Sequence, residues 1–264
     1  MNRFHRSMSG AFWPPPRVRS GGLAAGLLAF LVMTALGSET LAGAARLPDK
    51  PNVLLIVADD LGYGDLGCFG CKDIRTPHVD SLAAQGVRLT EFYASAPVCT
   101  PTRASLITGR YPQHFGFEWV ILAREKDRGL PATGASLPEL LRQRGYATAL
   151  YGKWHLGFRR RFAPNAHGFD NFFGFLGSDL DYFAHTDEYG EPGLFANSQL
   201  VGERGYLTDL ITQHAVAFLK QPRTRPFFLE VAYNAPHWPF QRPDRPDDVR
   251  TPRTYGPEFG RRSD

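Results

Sequence analysis

The sequence predicts an α/β domain in which helices cover both faces of a mostly parallel sheet. Three observations predict it. Residues 52–58 and 225–233 are near-continuous apolar runs rich in Val, Leu, Ile and Phe, as strands buried on both faces are. Between them, segments with helix start and stop signals alternate with strand-like segments. Composition agrees: 43% hydrophobic and 21% charged residues suit a globular core, not a disordered chain.

In chain order, residues 52–58 form the first predicted strand, which stops at Asp59-Asp60. Residues 76–86 read as a short helix, with Thr76 as cap, Pro77 at the first position and Gly86 as stop. Residues 87–95 alternate and contain β-formers, which predicts a strand. Cys99 follows, and a helix is expected to open near Pro101. Residues 136–145 make a second capped helix ending at Gly145, and 146–151 a strand. Residues 207–219 have helical apolar spacing, and 225–233 form the last strand. From 236 to 257 Pro and charge dominate, so that stretch reads as loop.

The net charge of +4 and pI of about 9.0 invite a nucleic-acid reading. The first 44 residues answer it. They hold Arg3, Arg6, Arg17 and Arg19 against Glu39 alone, so most of the excess charge sits there. A basic head, an uncharged apolar stretch within 20–38 and a small-residue tail at 41–45 make residues 1–44 a secretory signal peptide. The alternative is an uncleaved membrane anchor. The strongly apolar part falls short of the ~20 residues that cross a bilayer, which favours cleavage near Ala42 or Ala44. The expectation is an exported protein, periplasmic or secreted, with no nucleic-acid partner and a membrane partner only if the segment stays uncleaved. Three Cys exclude a disulfide scaffold. Cys68 and Cys71 have a C-x-x-C spacing, but no second pair completes a zinc site. Cys68 reads as a packing residue and Cys71 as incidental, although an oxidising compartment would permit them to pair.

Asp59-Asp60 lies where loops leave the carboxyl end of a buried strand, the usual ligand-binding edge of open α/β sheets. Two carboxylates there supply hard oxygens for Ca²⁺ or Mg²⁺. A Cys at a helix start near an Arg is a candidate nucleophile, although a lone thiol is more often a buried packing group. Taken singly, Lys153, His155 and His237 have equally bland readings: a solvated lysine, a hydrogen-bonded loop histidine and a turn histidine between prolines.

Their joint occurrence changes this. Residues 98–110, with Cys99-x-Pro101-x-Arg103 followed by Ala104-Ser-Leu-x-Thr-Gly-Arg110, resemble the sulfatase signature. Residues 52–70 are similar to that family's first strand and metal loop, and 75–82 to its first helix. Gly152-Lys-Trp-His-Leu-Gly157 is similar to its second signature, and Ala235-Pro-His-Trp-Pro239 to its distal histidine loop. The order and spacing agree over nearly the whole chain after the signal, and the likeness is to the arylsulfatase and N-acetylgalactosamine-6-sulfatase branch.

The resemblance implies an alkaline-phosphatase-like fold and hydrolysis of sulfate esters. It implies that Cys99 is oxidised by a formylglycine-generating enzyme, and that the hydrated aldehyde attacks sulfur and later expels sulfate without water attacking sulfur. Asp59, Asp60 and the residue made from Cys99 would bind a divalent ion, Ca²⁺ or else Mg²⁺. Arg103 would hold the deprotonated diol and the metal-loop carboxylates, as a permanently charged fork can. Lys153 and His237 would contact the sulfate ester and neutralise developing charge. His155 would orient the nucleophile and move its proton. Ser178 falls where some arylsulfatases place a substrate-contacting serine, and Arg110 would support the site. The substrate would be a sulfated small molecule or a sulfated glycan.

Relatives of this kind are longer and carry a later Asp-Asn or Asp-Gln metal pair and a further Lys. Neither motif follows His237; Asp247-Asp248 has no apolar strand before it. The expectation is that 45–264 is the N-terminal part of such a catalytic domain, ending before the C-terminal strands and small domain, with an exposed apolar sheet edge. Two alternatives share this pattern: a phosphonate or phosphate ester hydrolase of the same fold, and an inactive fragment.

Overall fold

This computed structural model describes residues 50–245. The segment read as a signal peptide and the Asp247-Asp248 stretch lie outside them.

One six-stranded sheet has the order β1-β6-β2-β3-β4-β5. Its strands are β1 (Val53–Asp59), β2 (Ala147–Lys153), β3 (Asn171–Phe175), β4 (Phe195–Ala196), β5 (Gln199–Leu200) and β6 (Phe227–Pro236). The first four in spatial order run parallel, and β4 and β5 close the far edge as a short antiparallel hairpin. Helices are α1 (Pro77–Gln85), α2 (Cys99–Thr108), α3 (Leu137–Gln143) and α4 (Leu207–Lys220).

The two faces follow from strand periodicity. Ala147, Ala149, Tyr151, Phe173, Leu229 and Val231 point to one side, where Leu207, Leu210, Ile211, Ala215 and Phe218 of α4 cover them. Leu150, Phe172 and Phe228 point to the other, where Ala104 and Ile107 of α2 and Leu141 of α3 pack. The Ser136 hydroxyl accepts from Glu139 N–H while the Glu139 carboxylate accepts from Ser136 N–H, so a capping box starts α3.

Three expectations change. Residues 87–95 form no strand; Val87, Phe92 and Tyr93 are exposed, because alternation becomes a strand only with a neighbouring strand to pair. β1 is not buried on both faces. It lies at the sheet edge, α4 packs across β6, β2 and β3, and Leu54 and Ile56 remain 46% and 55% exposed. Thr76 does not cap α1 with its side chain. Its hydroxyl instead bonds Gly67 N–H and Asp80, tying the helix to the loop after β1.

β3 to β5 were not anticipated. β3 is a five-residue Phe-rich segment, whereas β4 and β5 have two residues each, too few to leave a periodic signal. Cys68 and Cys71 are free thiols, both half-buried. No described helix is long and apolar enough to cross a membrane.

Candidate active site

Parallel strands place their carboxyl ends on one side of a sheet, and here that geometry assembles the site. β6 lies between β1 and β2. Asp59 at the end of β1, Lys153 at the end of β2 and His237 just after β6 therefore converge. The β1–β6 register slips between Ala58 and Asp59, so Asp59 pairs with Pro236. Such a bulge re-aims a side chain at a strand end. Gly152 precedes Lys153 with φ +118°, and a Cβ there would lie 1.9 Å from the Ala232 carbonyl oxygen of β6. Only glycine permits that approach.

Cys99 enters from above as the first residue of α2, not two residues before a helix start at Pro101. Its sulfur lies 3.4 Å from Lys153 Nζ. One ligand atom each from Asp59, Cys99 and His237 falls within 4.8 Å of the others. Lys153 is fully buried and its ammonium is ion-paired with Asp59 Oδ2. Arg103, one turn along α2, reaches Asp59 Oδ1 at 3.3 Å and donates to the Lys153 carbonyl at 2.8 Å. Burial alone would raise the Asp59 carboxyl; Lys153 and Arg103 outweigh it and hold the group below the usual carboxylate range.

His155 is fully buried, and its Nε2 lies 3.0 Å from the Ile121 carbonyl oxygen. A carbonyl can only accept, so Nε2 carries the hydrogen and Nδ1 keeps its lone pair. That Nδ1 is buried without a protein partner. Burial first, and Lys153 second, push the imidazole well below its ordinary range, so it is neutral at pH 7. His237 is shifted the same way by the same causes, and its Nε2 lies 3.9 Å from Asp60 Oδ2. Asp60 is exposed, at a left-handed φ of 62°.

Of the residues expected from sequence, Asp59, Cys99, Arg103, Lys153 and His237 meet directly, and Asp60 flanks them. His155 is in reach of their charge. Two depart. Arg110 is exposed, just beyond the left-handed Gly109 that ends α2, so it does not support the site. Ser178 is half-buried in the wall of a neighbouring cavity. Sequence reasoning missed several supports. Thr100 accepts from Ile121 N–H and donates to the His155 carbonyl, locking α2 to both. Tyr182 donates to the His237 carbonyl, and Gln241 bonds Tyr182 N–H and Asp181. Asn234 is fully buried with neither amide atom partnered, and Glu230 is buried with Oε2 unpartnered. A polar residue inside an otherwise apolar strand was the available signal for both.

A family model described as Sulfatase matches residues 51–258. The chain is 37% identical to N-acetylgalactosamine-6-sulfatase of Canis lupus familiaris, over 82% of its own length and 44% of that protein. It is 40% identical to arylsulfatase J of Mus musculus (74% and 34%) and 47% identical to steryl-sulfatase of Mus musculus (61% and 27%). The chain thus spans less than half the length of these curated relatives. Among solved structures, Ps i-CgsB in complex with k-i-k-neocarrahexaose matches with TM-score 0.70 and 40% identity, covering 74% of this chain and 47% of that one. BT4656 in complex with D-glucosamine-2-N,6-O-disulfate matches with TM-score 0.60 and 29% identity, covering 72% and 35%. The sheet is the mostly parallel, alkaline-phosphatase-like arrangement of these neighbours. Family match, fold and the convergence of Asp59, Cys99, Arg103, Lys153 and His237 agree, and the chain belongs to the sulfatase family.

Proposed function

We propose that this chain carries the nucleophile half of a sulfate ester hydrolase site, with Cys99 converted to formylglycine and a divalent cation held beside it. One observation carries the reading: the Cys99 sulfur lies 3.4 Å from a fully buried lysine ammonium and within the same 4.8 Å cluster as Asp59 and His237.

The donor chemistry tests the fit. Asp59 and Asp60 are hard oxygen donors, which suit Ca²⁺ or Mg²⁺, whereas thiol sulfur suits softer metals. Exchanging the Cys99 sulfur for oxygen makes that position hard too, so oxidised Cys99 matches Ca²⁺ better than the thiol does. Asp59 and Asp60 would hold the ion, which when bound supplies positive charge for anionic oxygens. The hydrated aldehyde supplies a nucleophile with a built-in release step.

The remaining work falls to the chain. Lys153 and Arg103 present two fixed cations in a water-poor site, where attraction for a sulfate group is strong. Arg103, fixed through Asp59 and the Lys153 carbonyl, orients the nucleophile position. The His155 Nδ1 lone pair can take a proton, because Nε2–H is committed to Ile121. His237, held through its carbonyl by Tyr182, faces the same cluster and contacts the ester.

Mass spectrometry of the Cys99 peptide from a host with the modifying enzyme tests the reading. Aldehyde in place of thiol, with turnover of an aryl sulfate, supports it; unmodified thiol in that host sinks it. Side-by-side assay of an aryl phosphate ester separates the sulfatase reading from a phosphatase one.

A further inference from the structure

Asp59, Cys99 and His237 each bring one ligand atom within 4.8 Å of the others. As the chain is synthesised, those donors are a carboxylate oxygen, a sulfur and an imidazole nitrogen. Calcium and magnesium take oxygens and leave sulfur alone, whereas zinc takes all three. While Cys99 remains a thiol, the set therefore suits zinc. Bonds of about 2.0–2.3 Å to one ion would draw these atoms inward by about 1 Å.

The histidine is prepared for a metal. Its Nδ1 lies 2.6 Å from the Trp238 carbonyl oxygen. A carbonyl only accepts, so Nδ1 carries the hydrogen and Nε2 keeps its lone pair. A backbone carbonyl on the other ring nitrogen is a common way to fix the tautomer and direction of a metal-binding imidazole. The loop beneath is fixed as well. His237 N–H donates to the Asn234 carbonyl at 2.7 Å, and Tyr182 donates to the His237 carbonyl at 3.0 Å. Asp60 Oδ2, 3.9 Å from Nε2, is a fourth donor within reach. Asp59 and His237 are buried and Cys99 is half-buried, so the sulfur marks the open side of the cluster.

Lys153 is the competitor. Its ammonium is paired with Asp59 Oδ2 and lies 3.4 Å from the Cys99 sulfur. It is a single charge that makes hydrogen bonds. A divalent ion bonded to sulfur, nitrogen and oxygen together can displace it from the shared oxygen. We propose that the unconverted chain is a zinc protein at this site. Zinc is held by Cys99 Sγ, His237 Nε2 and an Asp59 oxygen, with Asp60 or water completing the set. The thiol proton leaves to solvent as the sulfur–zinc bond forms, and nothing is oxidised or reduced. Conversion of Cys99 exchanges sulfur for oxygen and removes the preference for zinc. The chemical state of residue 99 then decides which metal the site holds. The zinc site uses the thiol as the structure shows it; only the change of metal on conversion rests on the sulfatase reading.

The test uses the full chain from a host without the modifying enzyme, stripped of metal, with zinc and calcium chlorides as probes. Titration calorimetry is expected to show one zinc per chain, bound more tightly than calcium. Cobalt in place of zinc should give thiolate-to-metal charge-transfer absorption. Losing an outer hydrogen-bond partner of a metal ligand costs about 10–100-fold in affinity, and Cys99→Ser, which loses a ligand, should cost at least as much. Lys153→Met should bind zinc more tightly than the native chain, because the competing cation is gone. Replacing the other two thiols, Cys68→Ser with Cys71→Ser, should leave zinc binding unchanged. Metal-free melts establish that each variant is folded. Should Cys99→Ser not fold, protection of the native Cys99 from iodoacetamide by zinc, read by peptide mass, decides in its place. No zinc binding, equal binding by folded Cys99→Ser, no protection of the thiol, zinc lost with Cys68 and Cys71, weaker zinc in folded Lys153→Met, or calcium bound as tightly as zinc overturns the proposal. The two readings fail separately. If zinc binds through Cys99 and a host with the modifying enzyme still leaves a thiol there, the zinc site stands and the sulfatase reading falls.

Discussion

Lys153 and Asp59, 94 residues apart in the chain, meet as an ion pair that is closed to solvent, with Arg103 on the second carboxylate oxygen. Removing one partner of a buried pair strands the other, at a cost of about 3–5 kcal/mol. Asp59→Asn is expected to fall in that range, because it takes the carboxylate from two cations. Lys153→Met should cost less, since Arg103 still serves Asp59. The double variant should cost less than the sum of the two. Urea unfolding in the presence of EDTA measures all three; strict additivity would show that the pair contributes nothing as a pair.

Calcium should raise the melting temperature of the formylglycine-bearing chain, by the equivalent of about 2.7 kcal/mol at a hundredfold excess over Kd. EDTA should reverse the shift, and Asp59→Asn should abolish it. An equal shift in Asp59→Asn would place the ion elsewhere. Thermal melts with and without Ca²⁺ decide this.

Glu230 sits in the middle of β6, 2% exposed, and burial pushes its carboxyl up to about 7, with Arg103 opposing. A raised folded pKa means that the folded state keeps a proton that the unfolded chain releases at an ordinary carboxylate pKa. The group's contribution is complete below about 4.5 and is lost as pH rises through about 7. Glu230→Gln should therefore gain on the native chain as pH rises, by up to about 3 kcal/mol at pH 8. The difference should vanish near pH 4. Unfolding free energies across pH 4–8 check the slope, and a pH-independent difference would refute it.

Gly152→Ala should be among the most damaging single changes, costing about 4 kcal/mol or more, because backbone and not a flexible side chain meets the new methyl. Gly70→Ala is the control. Gly70 has a φ of 101° but open space around its Cβ position, so only conformational strain remains, about 1–2 kcal/mol. Denaturant midpoints of the two variants compare packing with strain directly.

Expression with residues 1–44 intact in an exporting host should yield an N-terminus near residue 45, read by N-terminal sequencing. An intact Met1 on exported, membrane-bound protein would favour the anchor instead.

The sequence by itself determined several of the elements and the candidate site residues. Apolar runs announced β1 and β6, the capped pattern of 136–145 announced α3, and Cys99, Arg103, Lys153 and His237 stood in recognisable strings. These are local signals, carried by propensity, capping and motif spacing. Tertiary structure decided what each signal meets. The 87–95 segment alternates as a strand does, yet a strand exists only where a partner offers hydrogen bonds. β1 reads as doubly buried, yet its place at the sheet edge leaves Leu54 and Ile56 exposed. Arg110 belongs to the signature, yet the left-handed Gly109 turns it to solvent. The Lys153–Asp59 pair, the His155 tautomer, the unpartnered Asn234 side-chain amide and Glu230 Oε2, and the cavity walled by residues 120–126 and 187–193 all depend on contacts between distant segments. No spacing along the chain encodes them, because strand order and register, not sequence separation, set which side chains share one low-dielectric site.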